Sequence, residues 1–167
     1  MTLTLPQWQT RFATLLSEGL ECPVVHGNPN VGGDGALNCP DGLYVGVELV
    51  SVYETVEPWP SQLRDGSVVS GCATPLAADL TCRLVWCVPA GDDDGRSASP
   101  AELLASSAAV AAGAVEMYRL LRVDKVEARL EFGRTSLGPL YFVPKSGGAS
   151  AAEVAVTVPL ECSTDAP

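Results

Sequence analysis

The chain has 167 residues, of which 47% are hydrophobic, and a formal net charge of −10 from 10 basic and 20 acidic residues. This length and hydrophobic content predict one folded domain and exclude a chain that is disordered by composition. The acidic balance excludes a duplex-binding protein, which needs a basic face to neutralise phosphates. No apolar run approaches the roughly 20 residues of a membrane span, and the first residues carry no signal-peptide pattern.

The first predicted element is an amphipathic helix over residues 5–18. Thr4 and Gln7 have the spacing of a capping box at its start, and Gly19 stands where a helix C-cap is expected. The segment 21–42 is rich in Gly, Pro and Asn and is predicted to be a long surface loop. The residues predicted to face the core recur at the helical period and are Trp8, Phe12, Leu15 and Leu16.

Two strands are predicted next, over residues 43–54 and 78–88, because apolar residues alternate in both segments. The segment 57–75 between them contains several Pro and Gly residues and is predicted to be a second long loop. Trp59 lies in this loop. Two roles remain open for it from the sequence, namely a lid over the core and an anchor for a partner.

An acidic turn follows the second strand, with Asp92, Asp93 and Asp94 between two glycines. Three adjacent carboxylates invite comparison with a calcium loop. The ligand positions of an EF-hand do not continue beyond them, so the pattern predicts a solvated turn. We predict no metal site here and keep the three residues as candidates for partner contacts.

A second helix is predicted over residues 100–121. Ser99 and Glu102 have capping-box spacing, and Pro100 occupies the first helical position. Gly113 allows a close approach to a sheet or to a neighbouring helix. Its apolar residues form a stripe of Leu104, Ala108, Ala111, Val115 and Tyr118, widened by Leu103, Val110, Met117 and Leu121.

The last third predicts strands over 123–132, 140–143 and 152–161. In the strand predicted over 123–132, apolar residues alternate with Glu127, Arg129 and Glu131, which would form one solvent-exposed face. The element order predicts an α+β fold, in which two main helices pack on a mainly antiparallel sheet. The whole chain, 1–167, is predicted to be a single domain.

No catalytic constellation emerges from the sequence. His26 is the only histidine, and it lies in a loop near Cys22 without a residue placed to orient it. None of the six cysteines has C-x-x-C spacing, so a zinc site is not supported. We therefore predict a protein that is not an enzyme and that has no cofactor and no metal. Cys82 and Cys162 are predicted core residues, whereas reduced thiols and disulfides both remain open for Cys22, Cys39 and Cys72.

Several local strings resemble the tail terminator proteins of long-tailed bacteriophages, including those of actinobacterial phages. The likeness lies in the element order over about residues 4–162 and in the region of Cys72. The strings that carry it are YETVE at 53–57, ADLTCRLVWCVPA at 78–90, SPAELL at 99–104 and VAVTVPLE at 154–161.

The resemblance implies a structural virion protein that caps the tail tube as a ring, usually of six copies. Such a ring ends tail polymerisation and presents a surface for head–tail joining. The implied partners are further copies of the chain, the major tail tube protein and the head–tail connector or stopper, while genomic DNA passes the lumen without specific binding. The implied location is the tail or neck of the virion, assembled in the host cytoplasm.

Two other functions remain open from the sequence. One is a head–tail connector, stopper or other neck protein, and the other is a small cytoplasmic domain that binds a ligand or a peptide. The candidate interface residues under the first interpretation are Glu127, Arg129, Glu131, Trp59, Asp92, Asp93 and Asp94.

Overall fold

A computed structural model gives the structure of the protein and describes residues 3–24, 43–62, 75–87, 98–132, 134–146 and 149–160. Within these ranges, five strands form one antiparallel sheet in the order β2-β1-β3-β5-β4. The same ranges contain two helices, so the predicted α+β fold with a mainly antiparallel sheet is confirmed. The elements are α1 (Leu5–Leu20), β1 (Leu43–Val56), β2 (Ser61–Gln62), β3 (Leu76–Cys87), α2 (Pro100–Phe132), β4 (Ser136–Ser146) and β5 (Ala149–Leu160).

Both helices pack on the same face of the sheet, and the main core lies between the two layers. Alternate residues of the long strands point into this core, because successive side chains of a strand point to opposite faces. The predicted alternation of β1, β3 and β5 is confirmed. The core combines Trp8, Phe12 and Leu16 of α1, Met117 and Leu121 of α2, and Val45, Leu80, Cys82, Leu84, Val154, Val156 and Val158 of the strands.

Helix α1 begins as predicted but ends two residues later. The backbone N–H of Thr4 donates to Gln7 Oε1 at 2.8 Å, which caps the first turn. The predicted end at Gly19 is wrong, because Glu21 adopts the left-handed conformation, with φ 53°, and caps the helix. Gly19 instead allows α2 to pack closely against α1, because a Cβ atom at this position would lie 2.5 Å from Leu120 Cδ1 of α2.

The predicted strand over 123–132 is wrong, because these residues continue α2 without interruption to Phe132. Strand-like alternation in this segment coexists with residues of high helix propensity, namely Ala, Glu, Arg, Lys and Leu. No Gly or Pro follows Gly113 until Gly133, so nothing stops the helix earlier. Residues two apart on a helix are separated by about 200°, so Glu127, Arg129 and Glu131 do not form one face.

The predicted strand over 140–143 is part of a longer strand, β4, which begins at Ser136. Its first residues pair with the end of β5, so cross-strand packing extends it beyond the short apolar run. A two-residue strand, β2, lies within the segment 57–75 that was predicted to be loop. It pairs with the end of β1 only at Thr55 and Val56.

A largely buried ion pair fastens α1 to α2. Nε and Nη2 of Arg11 contact Asp124 Oδ1 at 3.0 and 2.6 Å. The Asp124 side chain is 7% exposed and that of Arg11 is 24% exposed. The Arg11 guanidinium also lies 5.8 Å from the ring centre of Trp8. The ion pair with Asp124 is therefore in contact with a residue of the core.

We expect Arg11→Met to lower the free energy of unfolding by about 2 to 4 kcal/mol, because it leaves the Asp124 carboxylate buried without its counter-ion. Urea denaturation measures the change. Arg134→Met is the matched control, because its ion pair with Glu57 is exposed and contributes at most about 1 kcal/mol. Equal losses of unfolding free energy in Arg11→Met and Arg134→Met would contradict the assignment of Arg11–Asp124 as the buried ion pair. The double variant Arg11→Met with Asp124→Leu should recover most of the stability that Arg11→Met loses.

Candidate assembly surfaces

The predicted interface residues do not form one site. Glu127 is exposed on α2, whereas the side chains of Arg129 and Glu131 lie outside the part of the molecule that the structure describes. The acidic turn of Asp92, Asp93 and Asp94 also lies outside the described residues. Their role in an interface stays a prediction.

Trp59 lies in the turn that joins β1 to β2 and lines an open cleft of about 380 Å³. Its backbone N–H donates to Glu57 Oε2 at 3.2 Å, and the other oxygen of Glu57 pairs with Arg134 at the start of β4. The turn contains two cis peptide bonds, before Pro58 and before Pro60. Half-buried Trp59 therefore lines a surface cleft at one end of the sheet.

The face of the sheet that points away from the helices, here called the far face, carries a polar network centred on Asp79. This residue of β3 accepts hydrogen bonds from hydroxyls of both neighbouring strands. Ser51 Oγ donates to Asp79 Oδ2 at 3.1 Å, while Tyr53 Oη and Thr157 Oγ1 donate to Oδ1 at 3.1 and 2.7 Å. The carboxylate thus ties β1, β3 and β5 together, since hydrogen bonds to a charged group are the stronger kind.

Arg83 occupies the far face four residues further along β3. Its Nε contacts Glu153 Oε1 of β5 at 2.5 Å, and its Nη1 lies 3.6 Å from Glu48 Oε2 of β1. The described far face therefore carries two carboxylates, Glu48 and Glu153, at the Arg83 guanidinium and a third, Asp79, four residues away along β3. Its local charge has the same sign as the net charge of the chain.

Exposed apolar side chains lie on the two outer long strands of the sheet, β1 and β4. On its outer side, strand β1 is flanked only by β2 at Thr55 and Val56 and by Val24 at Val45 among the described residues, so its middle part is an open edge. On β1, Leu49, Val50 and Val52 are exposed, and Val50 is 63% exposed at a bulge where the register shifts. On β4, Tyr141 and Phe142 are exposed, and Tyr141 is 61% exposed. Strand edges that present apolar residues and unpaired backbone groups are templates for pairing with another chain.

Helix α2 is apolar on two sides. Val110, Ala114, Met117 and Leu121 are buried against the sheet and α1. The stripe predicted from Leu104 to Val115 faces outward instead, and these two side chains are 72% and 64% exposed. The sequence could not rank the two stripes, because both have the helical period. An exposed apolar stripe is a candidate contact surface.

The thiols of Cys22 and Cys82 are buried. Cys22 and Cys82 are free, and burial raises the pKa of both, which disfavours the nucleophilic thiolate. Within the described ranges, no cluster of His, Cys, Asp and Glu could hold a metal ion. Among these same ranges, no helix is both long and apolar enough to cross a membrane.

Sequence reasoning missed the network of Asp79 and Arg83. Its sequence signal was the polar alternation of β3, where Asp79, Thr81 and Arg83 occupy every second position. That pattern predicts a polar face but does not show which strands flank it. The partners Glu48 and Glu153 are far apart in sequence, and only the strand order brings them together.

We expect Tyr53 to ionise above its ordinary pKa of 10.0, because burial and then the Asp79 charge and hydrogen bond raise its pKa. Its proton is therefore retained in the folded chain at a pH where the unfolded chain has lost it. The contribution to stability is complete below pH 10 and falls as the pH rises above it. The difference in tyrosinate absorbance between the native chain and Tyr53→Phe during a pH titration measures this pKa.

Asp79→Asn should lower the pKa of Tyr53 towards the ordinary value, because it removes the negative charge and weakens the hydrogen bond. Glu48→Gln is the control, since Glu48 contacts Arg83 and not Tyr53. An unchanged titration of Tyr53 in Asp79→Asn would contradict the role of this carboxylate.

No protein-family model and no curated protein matches the sequence. Among solved structures, the chain is similar to the sheath/tube terminator, in its extended state, of an extracellular contractile injection system, PVC. The TM-score is 0.36 with 14% sequence identity, and the match covers 99% of this chain and 60% of that chain. This chain thus matches somewhat less than two thirds of the terminator's length.

Proposed function

We propose that the chain is a structural protein that caps a tail tube as a ring and does not act as an enzyme. The observation that carries this proposal is the pair of exposed apolar edges on opposite sides of one sheet. A contact between two different edges repeats from copy to copy, and it closes into a ring when the rotation between copies allows.

The strand directions support edge-to-edge pairing between copies. The four long strands lie in the order β1-β3-β5-β4, and every neighbouring pair among them is antiparallel, so β1 and β4 run in opposite directions. If β4 of one copy lies beside β1 of the next, the alternation of directions continues across the contact. Exposed Tyr141 and Phe142 then meet the exposed residues of β1, and both edges lose their contact with water.

The two layers of the domain favour one orientation of such a ring. The described helices lie on one face of the sheet. A ring whose sheets curve with the helices on the outside therefore places the helices at the larger radius, where there is more room for them. The far face then lines the lumen with Asp79 and with Glu48 and Glu153, which flank Arg83. A lumen of net negative charge does not retain DNA, which is itself a polyanion.

In this proposal the ring has six copies, sits at the end of the tail tube and contacts the tail tube protein on one side. Its other side presents a surface to the head–tail connector or stopper. The particle is a phage virion, and assembly takes place in the host cytoplasm. The role is the one named for the similar injection-system protein, a tube terminator.

We expect a photoreactive benzophenone residue at position 50 to cross-link to β4 of a neighbouring copy. Irradiated protein should give a ladder of more than two chains on a denaturing gel, because each copy offers both edges. Mass spectrometry of the cross-linked peptide should identify residues 136–146. A benzophenone residue at Thr14, which is exposed on α1, is the control and should give no ladder. Cross-linked products that stop at two chains, or that join β1 to β1, would contradict the proposed contact between β1 and β4 of neighbouring copies.

Deletion of the gene in its parent phage tests the capping role. We expect tail tubes of uncontrolled length in negative-stain micrographs, because nothing then ends polymerisation. A plasmid copy of the native gene should restore normal length, whereas a copy with Val50→Glu should not. Tails of normal length beside unattached heads would instead identify a connector or stopper.

A further inference from the structure

Strand β1 has one open stretch along its outer edge. Val24 pairs with Val45 at one end of this stretch, and β2 pairs with Thr55 at the other. Among the described residues, no strand pairs with residues 46–54 on this side. A strand of another copy that adds to β1 therefore lies between Val45 and Thr55, where it can use the unpaired backbone groups of the edge.

Strand β4 offers a shorter regular stretch on its own outer edge. The register of β4 with β5 shifts on both sides of residues 140–143. Pro139 and Pro144 lie within these two shifts, and proline has no backbone N–H to donate to a ladder. Residues 140–143 are therefore the part of β4 that can form a regular ladder with another strand.

Val45 shows which backbone groups of β1 point out of the sheet. Its N–H donates to Pro23 O at 3.0 Å, so its backbone groups point away from β3. These directions alternate along a strand, so Leu49, four residues on, also points outward. The bulge after Leu49 displaces the alternation by one residue, and the next outward residue is Val52. Thr55 agrees with this count, because its N–H donates at 2.9 Å to the carbonyl that precedes β3.

The same alternation carries across the sheet to β4. Leu84 lies opposite Val45 and therefore directs its backbone groups towards Ala152 of β5. Ala152 is thus hydrogen-bonded to β3, so Phe142, which lies opposite it on β4, points outward. Phe142 and Leu140 therefore present their backbone groups to a neighbouring strand.

The outward residues of both edges lie on the helix side of the sheet. Phe142 and Leu140 pair with core residues of β5, while Leu49 and Val52 pair with core residues of β3. Residues directly opposite each other on adjacent strands share a face. A copy that adds its β4 to β1 therefore keeps its helices on the same side as those of its neighbour, as the proposed ring requires.

Three registers place Phe142 opposite an outward residue of the open stretch, namely Val47, Leu49 or Val52. Opposite Val47, β4 runs on into the edge position that Val24 occupies. Opposite Val52, the other end of β4 runs into β2. The register with Phe142 opposite Leu49 is clear of both contacts.

This central register also covers the exposed apolar residues of β1. Phe142 then lies on Leu49, and Leu140 lies opposite Val52. The first alternative leaves Val52 without an apolar side chain opposite it, and the second places Leu140 against the carboxylate of Glu54. Covering both exposed side chains is favourable, because their apolar surface leaves water.

We propose that the contact between neighbouring copies has one register, in which Phe142 of one copy lies opposite Leu49 of the next. Leu140 then lies opposite Val52. This inference rests on the proposed ring contact and adds the residues that determine its geometry. A single register gives the same rotation between all copies, which closure into a ring needs, whereas slipped contacts would vary the rotation.

Paired cysteines test the register. In it, Val143 of one copy lies opposite Glu48 of the next as a non-hydrogen-bonded pair, whose Cα atoms are about 4.5 Å apart. The chain with Val143→Cys and Glu48→Cys, oxidised in air with copper phenanthroline, should give a disulfide-linked ladder of more than two chains on a non-reducing gel. Mass spectrometry should show the bond between positions 143 and 48, which distinguishes it from bonds of the native cysteines.

Val143→Cys with Ser51→Cys is the matched control. Like Glu48, Ser51 lies on the far face of β1 and has a polar contact there. It is three residues from Glu48, or about 10 Å along the strand, which is too far from Val143 for a disulfide. This variant should give no linkage above that of the native chain. Circular dichroism should show the same fold in both variants, since each loses one contact of β1.

A bond between positions 143 and 51 in place of 143 and 48 would overturn the register. So would the absence of both bonds in a chain whose photoreactive residue at position 50 still links to β4, and the ring contact would then stand without this register. Loss of the link from position 50 as well would overturn the ring contact itself.

Discussion

In the described part of the chain, both helices cover the same face of the sheet, and the distribution of exposed apolar surface follows from that arrangement. The core beneath them is complete, since Trp8, Leu80 and Met117 are fully buried within a single chain. Apolar residues on the two sheet edges and on the outer side of α2 remain outside this core. Hydrophobic burial is the main favourable term in association as well as in folding. In the proposed assembly, contacts between copies therefore depend on the surface that the fold leaves exposed.

The charge of the chain opposes the contacts that its apolar surfaces favour. Each copy carries a net charge of −10, so copies repel one another when they approach. At 0.1 M salt the screening length is about 10 Å, which limits this repulsion to the closest charges. Glu48 and Glu153 are held by Arg83, and Asp79 accepts three hydroxyl donors, so the far face holds its carboxylates within the domain. Apolar edges combined with locally satisfied charges make pairing between acidic copies feasible.

The sequence predicted correctly the helix starts that capping residues mark and the strands that have a clear hydrophobic period. Both capping boxes, at Thr4 and at Ser99, mark the true helix starts, because local hydrogen bonds determine them. The alternation of β1, β3 and β5 predicted the core face correctly, since the side of each strand that faces the helices is buried; Tyr44, Val85 and Ala151 form a smaller buried cluster on the far face. The strand order and the partners of Asp79 and Arg83 could not be predicted. They depend on contacts between segments far apart in the chain.

The segment 123–132 shows why a prediction fails when two local signals disagree. The alternation of apolar and polar residues in this segment favours a strand, whereas its composition favours a helix. Asp124 decides between them, because its ion pair with Arg11 needs a helix packed beside α1 at that position. The helix at this point also presents Leu121 to the core and Leu120 to Gly19 of α1. Packing against α1 thus favours the helix as far as Asp124, and the absence of Gly and Pro before Gly133 lets it continue to Phe132. The same continuity gives α2 one uninterrupted outer side, on which the apolar stripe of its first half is followed by the exposed arginines of its second.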